Sequence, residues 1–197
     1  MSTTPQIPID DTISLRPALA LALLALLGFG LLYSLAGAGL GRLLFPQQAS
    51  GSLIERDGTI VGSTLIAQPF AGDGYFQPRP SAANYDPMAA AGSNQARSNP
   101  DLRKRIAEAR AAVAAREHIA PDRVPIELIT QSGGGLDPHI TPEGARVQIA
   151  RVAKARGLAP PLVEALVAAH TEGPQLGVFG QPRVNVLELN LALDDAR

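Results

Sequence analysis

The sequence contains no cysteine and no tryptophan, and only 4% of its 197 residues are aromatic. Without cysteine, disulfide bonds and thiolate metal sites are excluded. The formal net charge is −1, whereas nucleic-acid binding needs a basic surface and, for single strands, aromatic side chains on which bases stack. We therefore expect no nucleic acid among the partners.

The common phosphate-binding motifs are also missing. No Gly-x-x-x-x-Gly-Lys-Ser/Thr loop occurs, and no Gly-x-Gly-x-x-Gly follows a predicted strand. Asp137, His139, His170 and Glu172 would form a metal site only if two distant loops converged, which their spacing does not require. We expect no metal, no stably bound cofactor and no small-molecule substrate of the chain's own.

Ser132, Asp137 and His139 have the residue types of a hydrolytic triad. They share one Gly-rich segment, however, and no glycine stands two residues before Ser132, as a nucleophile elbow requires. Turn formation explains these residues better. A membrane-anchored extracytoplasmic hydrolase that uses Ser132 remains the alternative function.

One long uncharged run stands out against these absences. It extends from Pro17 to Gly41, between Arg16 and Arg42. As a helix, about 25 residues reach about 37 Å, which is enough to cross a hydrocarbon core of about 30 Å. We predict a transmembrane helix over residues 17–41, preceded by a leader of residues 1–16.

A cleaved signal peptide is the competing interpretation of this run, because Ala36-Gly37-Ala38 suits a signal peptidase. Asp10 and Asp11 in the leader and the length of the run favour an uncleaved anchor. Arg16 and Arg42 nearly balance, so charge leaves the orientation open.

Small residues mark one face of the predicted helix. Ser34, Gly37 and Gly41 lie on that face, and the Gly-x-x-x-Gly spacing allows the backbone of another helix to approach closely. A general abundance of Gly and Ala in membrane helices is the alternative explanation.

Residues 46–197 have the length of one soluble domain, for which we predict a mixed α/β structure and an α+β fold class. Asp57-Gly58 between apolar runs predicts a β-hairpin over residues 53–66. Residues 69–100 are rich in Gly, Pro, Ser and Asn and predict a long irregular segment. The other predicted elements are a helix from the N-cap Asn99 to about His118, a buried strand Val124–Thr130, a helix from the N-cap Thr141 to about Gly157, a helix from Pro160 to about Thr171 with Leu162, Val163, Leu166 and Val167 facing inward, and residues 184–193, which alternate like a strand but favour a helix capped by Asn185.

Several segments, in this order, make the chain resemble one known family, the C subunit of the Kdp potassium-transporting P-type ATPase. The aromatic part of the irregular segment, with Pro78 where the family usually has Gly, is the most distinctive of them. The segments are Leu15-Arg16-Pro17-Ala18-Leu19, Gly51-Ser52-Leu53-Ile54, Val61-Gly62-Ser63, Gly74-Tyr75-Phe76 with Arg79-Pro80-Ser81-Ala82, Gly92-Ser93-Asn94, Ser98-Asn99-Pro100, Ser132 through Thr141, Gln148 with Arg151 through Arg156, Gly180-Gln181-Pro182 and Val184 through Leu193.

The resemblance implies a non-catalytic accessory subunit that assembles and stabilises a potassium importer with A, B and F subunits. It places the chain in the inner (plasma) membrane as a single-pass protein, with a cytoplasmic N-terminus and an extracytoplasmic domain. It also implies a catalytic chaperone that raises the ATP affinity of the B subunit, with ATP bound only in a transient complex. Gln148 is the candidate for nucleotide contact, as an amide on a polar helix face. The candidate interface residues are Gly37 and Gly41 in the helix and Tyr75, Phe76, Arg79, Ser93 and Asn94 in the loop, whose aromatic residues either pack on the core or form a dedicated binding surface.

Overall fold

The computed structural model describes residues 15–196. Most of the predicted leader, including Asp10 and Asp11, lies outside the described residues, as does residue 197. By its internal contacts the chain divides into two compact units, one ending at Ser50 and the other spanning Gly51–Arg197.

The first unit is a long helix followed by a single short turn of helix. Helix α1 (Leu15–Ala25), a π-helical segment (Leu26–Leu32) and helix α2 (Tyr33–Leu44) run without interruption, and α3 (Pro46–Ala49) follows. The continuous Leu15–Leu44 helix has 30 residues and is long and apolar enough to cross a membrane. It contains the whole predicted span.

The second unit begins with the predicted hairpin. Strands β1 (Leu53–Arg56) and β2 (Thr59–Ser63) pair antiparallel, with a register shift between Ile54 and Glu55. Asp57 and Gly58 have φ of 51° and 75°, as a two-residue turn of this type requires. The hairpin prediction is confirmed, although β2 ends before the predicted Ile66.

Residues 69–99 form the predicted irregular segment, interrupted only by a 3-10 turn at Pro87–Ala89 among these residues. Helix α4 (Pro100–Glu117) then starts as predicted, because the Asn99 side chain accepts a hydrogen bond from the backbone N–H of Asp101 at 2.8 Å. It ends at His118, which has a left-handed backbone.

The predicted strand Val124–Thr130 is wrong. The segment contains the 3-10 turn Ile126–Leu128, just after another at Pro121–Arg123. Pro121 and Pro125 each lack an N–H donor and fix φ, which favours turns over a sheet ladder. Val124, Leu128 and Ile129 are nevertheless buried, whereas Ile126 is 60% exposed. A short apolar run does not distinguish a strand from other buried segments.

The helix predicted from Thr141 to Gly157 is two helices, α5 (Pro142–Arg146) and α6 (Ile149–Arg156). Thr141 caps α5 as predicted, accepting a hydrogen bond from the Gly144 N–H at 2.9 Å. Helix α7 (Pro160–Ala169) buries Val163 and Val167, but Leu162 is 45% exposed rather than inward-facing. It also ends before Thr171, which belongs to a strand.

Three short strands form an antiparallel sheet in the order β3-β5-β4: β3 (His139–Ile140), β4 (Thr171–Glu172) and β5 (Arg183–Asn185). Helix α8 (Val186–Asp195) follows β5 directly, capped by Asn185 as predicted. An N-terminal apolar helix followed by a mixed α/β domain confirms the predicted fold class. The core combines residues from the helices, the sheet and the irregular segment, including Phe76, Val113, Leu128, Ile129, Ile140, Val152, Val163, Val184, Leu189 and Leu193.

Candidate functional site

Two buried side-chain amides hold residues 73–79, which we call the clamped loop. Asn190 accepts from the Phe76 N–H at 2.8 Å and donates to the Phe76 carbonyl at 3.0 Å. Gln148 binds the next residue in the same way: it accepts from the Gln77 N–H at 2.8 Å and donates to the Gln77 carbonyl at 3.2 Å. Each amide satisfies the backbone N–H and carbonyl of one loop residue, as a neighbouring strand would. The loop is thus fixed between α6 and α8.

A buried ion pair supports the same loop. Arg151 Nε donates to Glu117 Oε2 at 2.9 Å, and their side chains are 7% and 0% exposed. The Arg151 guanidinium also donates to the carbonyls of Asp73 and Tyr75 and to Gln148 Oε1. The charge is therefore both paired and fully engaged in hydrogen bonds, as burial requires.

At the outer edge, Tyr75 joins the loop to the end of α8. The Arg156 guanidinium lies 4.6 Å from the centre of the Tyr75 ring, within the range of a cation–π interaction. Arg156 donates to Asp194 at 2.8 Å, and the Tyr75 hydroxyl donates to the same carboxylate at 3.2 Å. Tyr75 is half-buried, and only part of its surface is open to a partner.

The structure separates the predicted interface residues into several classes. Phe76 is completely buried, so its side chain packs on the core and offers no surface to a partner. Arg79 is 25% exposed and pairs with Asp137 at 2.9 Å, whereas Ser93 and Asn94 are exposed. In the first unit Gly37 is exposed, and a Cβ atom there would meet no atom within 4 Å. A Cβ at Gly41 would meet only the Cβ of Ala49, at 3.9 Å.

The residues considered for a hydrolytic triad do not assemble into one. Ser132 is 3% exposed, and its backbone N–H donates to the Pro80 carbonyl at 3.2 Å. Asp137 does approach His139, at 3.5 Å, but it also pairs with Arg79. Within residues 15–196, no hydrogen bond links Ser132 to His139. The segment acts as a turn that supports the irregular segment.

A groove of about 790 Å³ opens beside the buried ion pair, between the C-terminal end of α4 and α6. Its floor is apolar, with Ile119 and Val147. Arg116, Arg146 and Lys154 bring positive charge to its lining. Asp73 and Glu117 line it as well, and Arg116 pairs with Glu117 at 2.6 Å, so the groove carries both signs of charge.

A second exposed feature is the hairpin between β4 and β5. Its end carries three apolar side chains, Leu176, Val178 and Phe179, which are 91%, 76% and 65% exposed. We call these three residues the apolar tip. It was not among the features predicted from the sequence, although the uncharged stretch 173–182, with Gly-Pro at its start, is a turn signal.

Comparison with known proteins accounts for the chain as a whole. The family model "KdpC: K+-transporting ATPase, c chain" matches residues 15–195. This chain belongs to the KdpC family. A potassium-transporting ATPase KdpC subunit from Xanthomonas campestris pv. campestris is 61% identical over 196 residues, covering 100% of this chain and 93% of that protein. Subunits of the same name from Kineococcus radiotolerans and Shewanella putrefaciens are 54% and 52% identical, covering 92% and 91% of this chain and 93% and 88% of those proteins.

The KdpC resemblance predicted from the sequence is therefore confirmed. The chain is a subunit of a potassium-transporting P-type ATPase, and its Leu15–Leu44 helix suits a membrane transporter.

Gln148, the candidate for nucleotide contact in this KdpC chain, lies inside the domain. Its side chain is neither solvated nor on a polar face, because the residue is 0% exposed. Both amide atoms are engaged, with Gln77, Gly144 and Arg151. Contact with ATP would require Gln148 to release the clamped loop.

The ion pair at the edge of this KdpC domain predicts a response to acid. Burial raises the pKa of Asp137, but hydrogen bonds from the side chain and N–H of His139 and from Arg79 outweigh it and lower the pKa from 3.8 to about 2. The carboxylate therefore stabilises the fold above about pH 4, and that contribution is lost as pH falls toward about 2.

We expect Asp137→Asn to destabilise the full-length chain at pH 6, by less than about 1 kcal/mol because the pair is screened by solvent. The difference from the wild type should shrink at pH 2.5. Urea unfolding in detergent at both pH values measures it. Asp122→Asn, at an exposed aspartate, is the control. An equal deficit at both pH values would contradict the assignment.

Proposed function

We propose that this chain is a non-catalytic accessory subunit that assembles and stabilises an ATP-driven potassium import complex with the A, B and F subunits of its family. The observation that carries the proposal is the bare Leu15–Leu44 helix, none of whose described residues is buried within the chain. Lateral packing against other membrane helices would cover its small-residue face, which includes Gly37 and Gly41.

The division of labour follows from the chemistry that the sequence lacks. It contains no Asp-Lys-Thr-Gly motif for an aspartyl phosphate and no Thr-Val-Gly-Tyr-Gly filter to replace the hydration shell of potassium. Among residues 15–196 no hydrogen bond links Ser132 to His139, which also argues against the hydrolase alternative. We assign ATP hydrolysis and ion selection to the partner subunits.

We further propose an uncleaved anchor with a cytoplasmic N-terminus and an extracytoplasmic domain. The family model begins at residue 15, at the start of the apolar helix, which supports a helix retained in the mature subunit. An extracytoplasmic domain cannot touch cytoplasmic ATP. Any effect on the ATP affinity of the B subunit would then be indirect, in agreement with the buried position of Gln148.

Substituting both Gly37 and Gly41 with Leu should lower co-purification of the other pump subunits about tenfold, the equivalent of about 1.4 kcal/mol. Leucine side chains would hold a partner helix away from the glycine face. The measurement is a detergent pull-down of the tagged full-length chain, with partners quantified by mass spectrometry and potassium-stimulated ATPase activity assayed in parallel.

Gly39→Leu is the matched control, because Gly39 lies on the opposite side of the helix and a Cβ atom there also meets nothing within 4 Å. It should leave the recovered complex unchanged. Equal recovery with the Gly37/Gly41 double variant would remove helix packing from the proposal. Failure of the wild-type chain to recover any pump subunit would refute the accessory role itself.

A further inference from the structure

We propose that the apolar tip, Leu176, Val178 and Phe179, inserts into an uncharged apolar cleft on another subunit of the same transport complex. This inference rests on the proposed accessory function and adds a second contact, outside the membrane helix. Large exposed apolar patches on soluble domains commonly mark interaction sites, whereas single exposed apolar residues are ordinary. Here three lie within four consecutive residues, each at least 65% exposed.

The backbone presents these side chains in a fixed arrangement. Gln175 and Phe179 exchange two hydrogen bonds, with N–H to carbonyl distances of 2.8 and 2.9 Å, which close a tight turn. Leu176 has φ of 54° and Gly177 has φ of 75°. The left-handed region is sterically unfavourable for a residue such as leucine. Glycine at position 176 would avoid this strain but would remove the exposed apolar side chain. Local backbone strain of this kind is concentrated at binding and catalytic sites.

The charge distribution identifies the chemistry of the partner surface. Glu172 and Arg183, at the base of the hairpin, pair with each other at 2.6 Å. Residues 173–182 between them carry no charge. A neutral tip has no electrostatic attraction for a charged cleft. Its insertion would desolvate the charged groups of that cleft without pairing them, which is unfavourable. The complementary surface is therefore uncharged and apolar.

The size of the tip selects a partner that is already nearby. Three side chains of this kind present on the order of 400 Å² of apolar surface, whereas a specific interface needs about 800 Å² per partner. The tip alone is too small to hold a second copy of this chain or a freely diffusing protein. A subunit held close by the membrane helix is different, because the second contact then forms at high effective concentration.

A lipid surface is the less suitable occupant. Segments that rest in the membrane interface carry Trp or Tyr together with Lys or Arg that attract the head groups. Residues 173–182 contain none of these four residue types. We therefore assign the tip to a protein cleft, and the experiment below separates the two occupants.

The test places the photo-reactive amino acid p-benzoylphenylalanine at position 178 of the full-length chain within the assembled complex in native membranes. Position 88 is the matched control, because Met88 is 93% exposed but lies in the irregular segment. We expect light-dependent cross-links from position 178 to one defined apolar segment of another pump subunit, at least about tenfold above those from position 88. Cross-links to lipid alone, to a second copy, or to nothing would each overturn the inference.

A second variant makes the result independent of the probe. Leu176→Ser, Val178→Ser and Phe179→Ser together should leave the fold intact, because these side chains are exposed. We expect the complex to form but to lose this chain several-fold faster on dilution in detergent, whereas Met88→Ser should not change the rate. Equal dissociation rates would overturn the inference while leaving the accessory role in place. Absence of the pump subunits from the wild-type preparation would overturn both proposals.

Discussion

Replacing Gln148 with alanine is expected to lower the free energy of unfolding by about 3–5 kcal/mol. The substitution leaves the N–H and carbonyl of Gln77 and one Arg151 donor without their partner. Each unsatisfied buried polar group costs about 1–3 kcal/mol. Urea unfolding of the full-length chain in detergent, followed by circular dichroism, measures the loss. Gln181→Ala, at an exposed glutamine, should change it by less than about 0.5 kcal/mol.

Asn190→Ala is the control that separates stability from nucleotide contact. Asn190 holds Phe76 in the way that Gln148 holds Gln77, but from helix α8. If Gln148 acts through the clamped loop, the two variants should alter the ATP dependence of the assembled pump to the same extent. An increase in KM for ATP with Gln148→Ala alone would contradict the structural role and revive direct nucleotide contact.

Much of the local structure could be predicted because it is encoded by local chemistry. Asp57-Gly58 specifies a hairpin turn, and Asn99, Thr141 and Asn185 each cap the helix that follows. For the C-terminal segment, composition favoured a helix, and Val186–Asp195 is a helix capped by Asn185. These signals need no information about the rest of the fold.

The errors occur where packing between distant segments decides the outcome. Val124–Thr130 is short and mostly apolar, and the burial of Val124, Leu128 and Ile129 did not specify a strand. The break between α5 and α6 places Gln148 beneath the clamped loop, which no helical periodicity indicates. Leu162 was assigned to the inner face together with Val163, Leu166 and Val167, but the neighbouring elements cover Val163 and Val167 and leave Leu162 45% exposed.

The candidate site shows the same limit. The resemblance drew attention to Gln148 and Phe76 as contact residues, whereas both are buried and serve the fold of the domain. Glu117 and Arg151 lie 34 positions apart, and nothing in either neighbourhood indicates that they pair. The apolar tip was overlooked because exposure is a property of the folded chain.

Glu117→Ala should be the other strongly destabilising change, lowering the free energy of unfolding by about 3–5 kcal/mol. The substitution removes the carboxylate that neutralises Arg151, which is 7% exposed. Arg151 would then keep only neutral oxygen acceptors, on Asp73, Tyr75 and Gln148. The measurement is urea unfolding of the full-length chain in detergent.

The matched control for this change is Glu108→Ala on the same helix. Glu108 is 66% exposed and faces Lys104 at 4.0 Å, so its loss should cost less than about 0.5 kcal/mol.

The double variant Glu117→Leu/Arg151→Met distinguishes the ion pair from the support that Arg151 gives the clamped loop. Removing both charges together avoids a stranded buried guanidinium, because Arg116, which also pairs with Glu117 at 2.6 Å, is 36% exposed. The double variant should therefore be more stable than the sum of the single variants predicts, by at least about 2 kcal/mol. It should still fall below the wild type, because the carbonyls of Asp73 and Tyr75 lose their donor. Full recovery of stability would mean that Arg151 only neutralises Glu117. Additive losses would mean that the two side chains act independently, and the loop would then depend on its two amides alone.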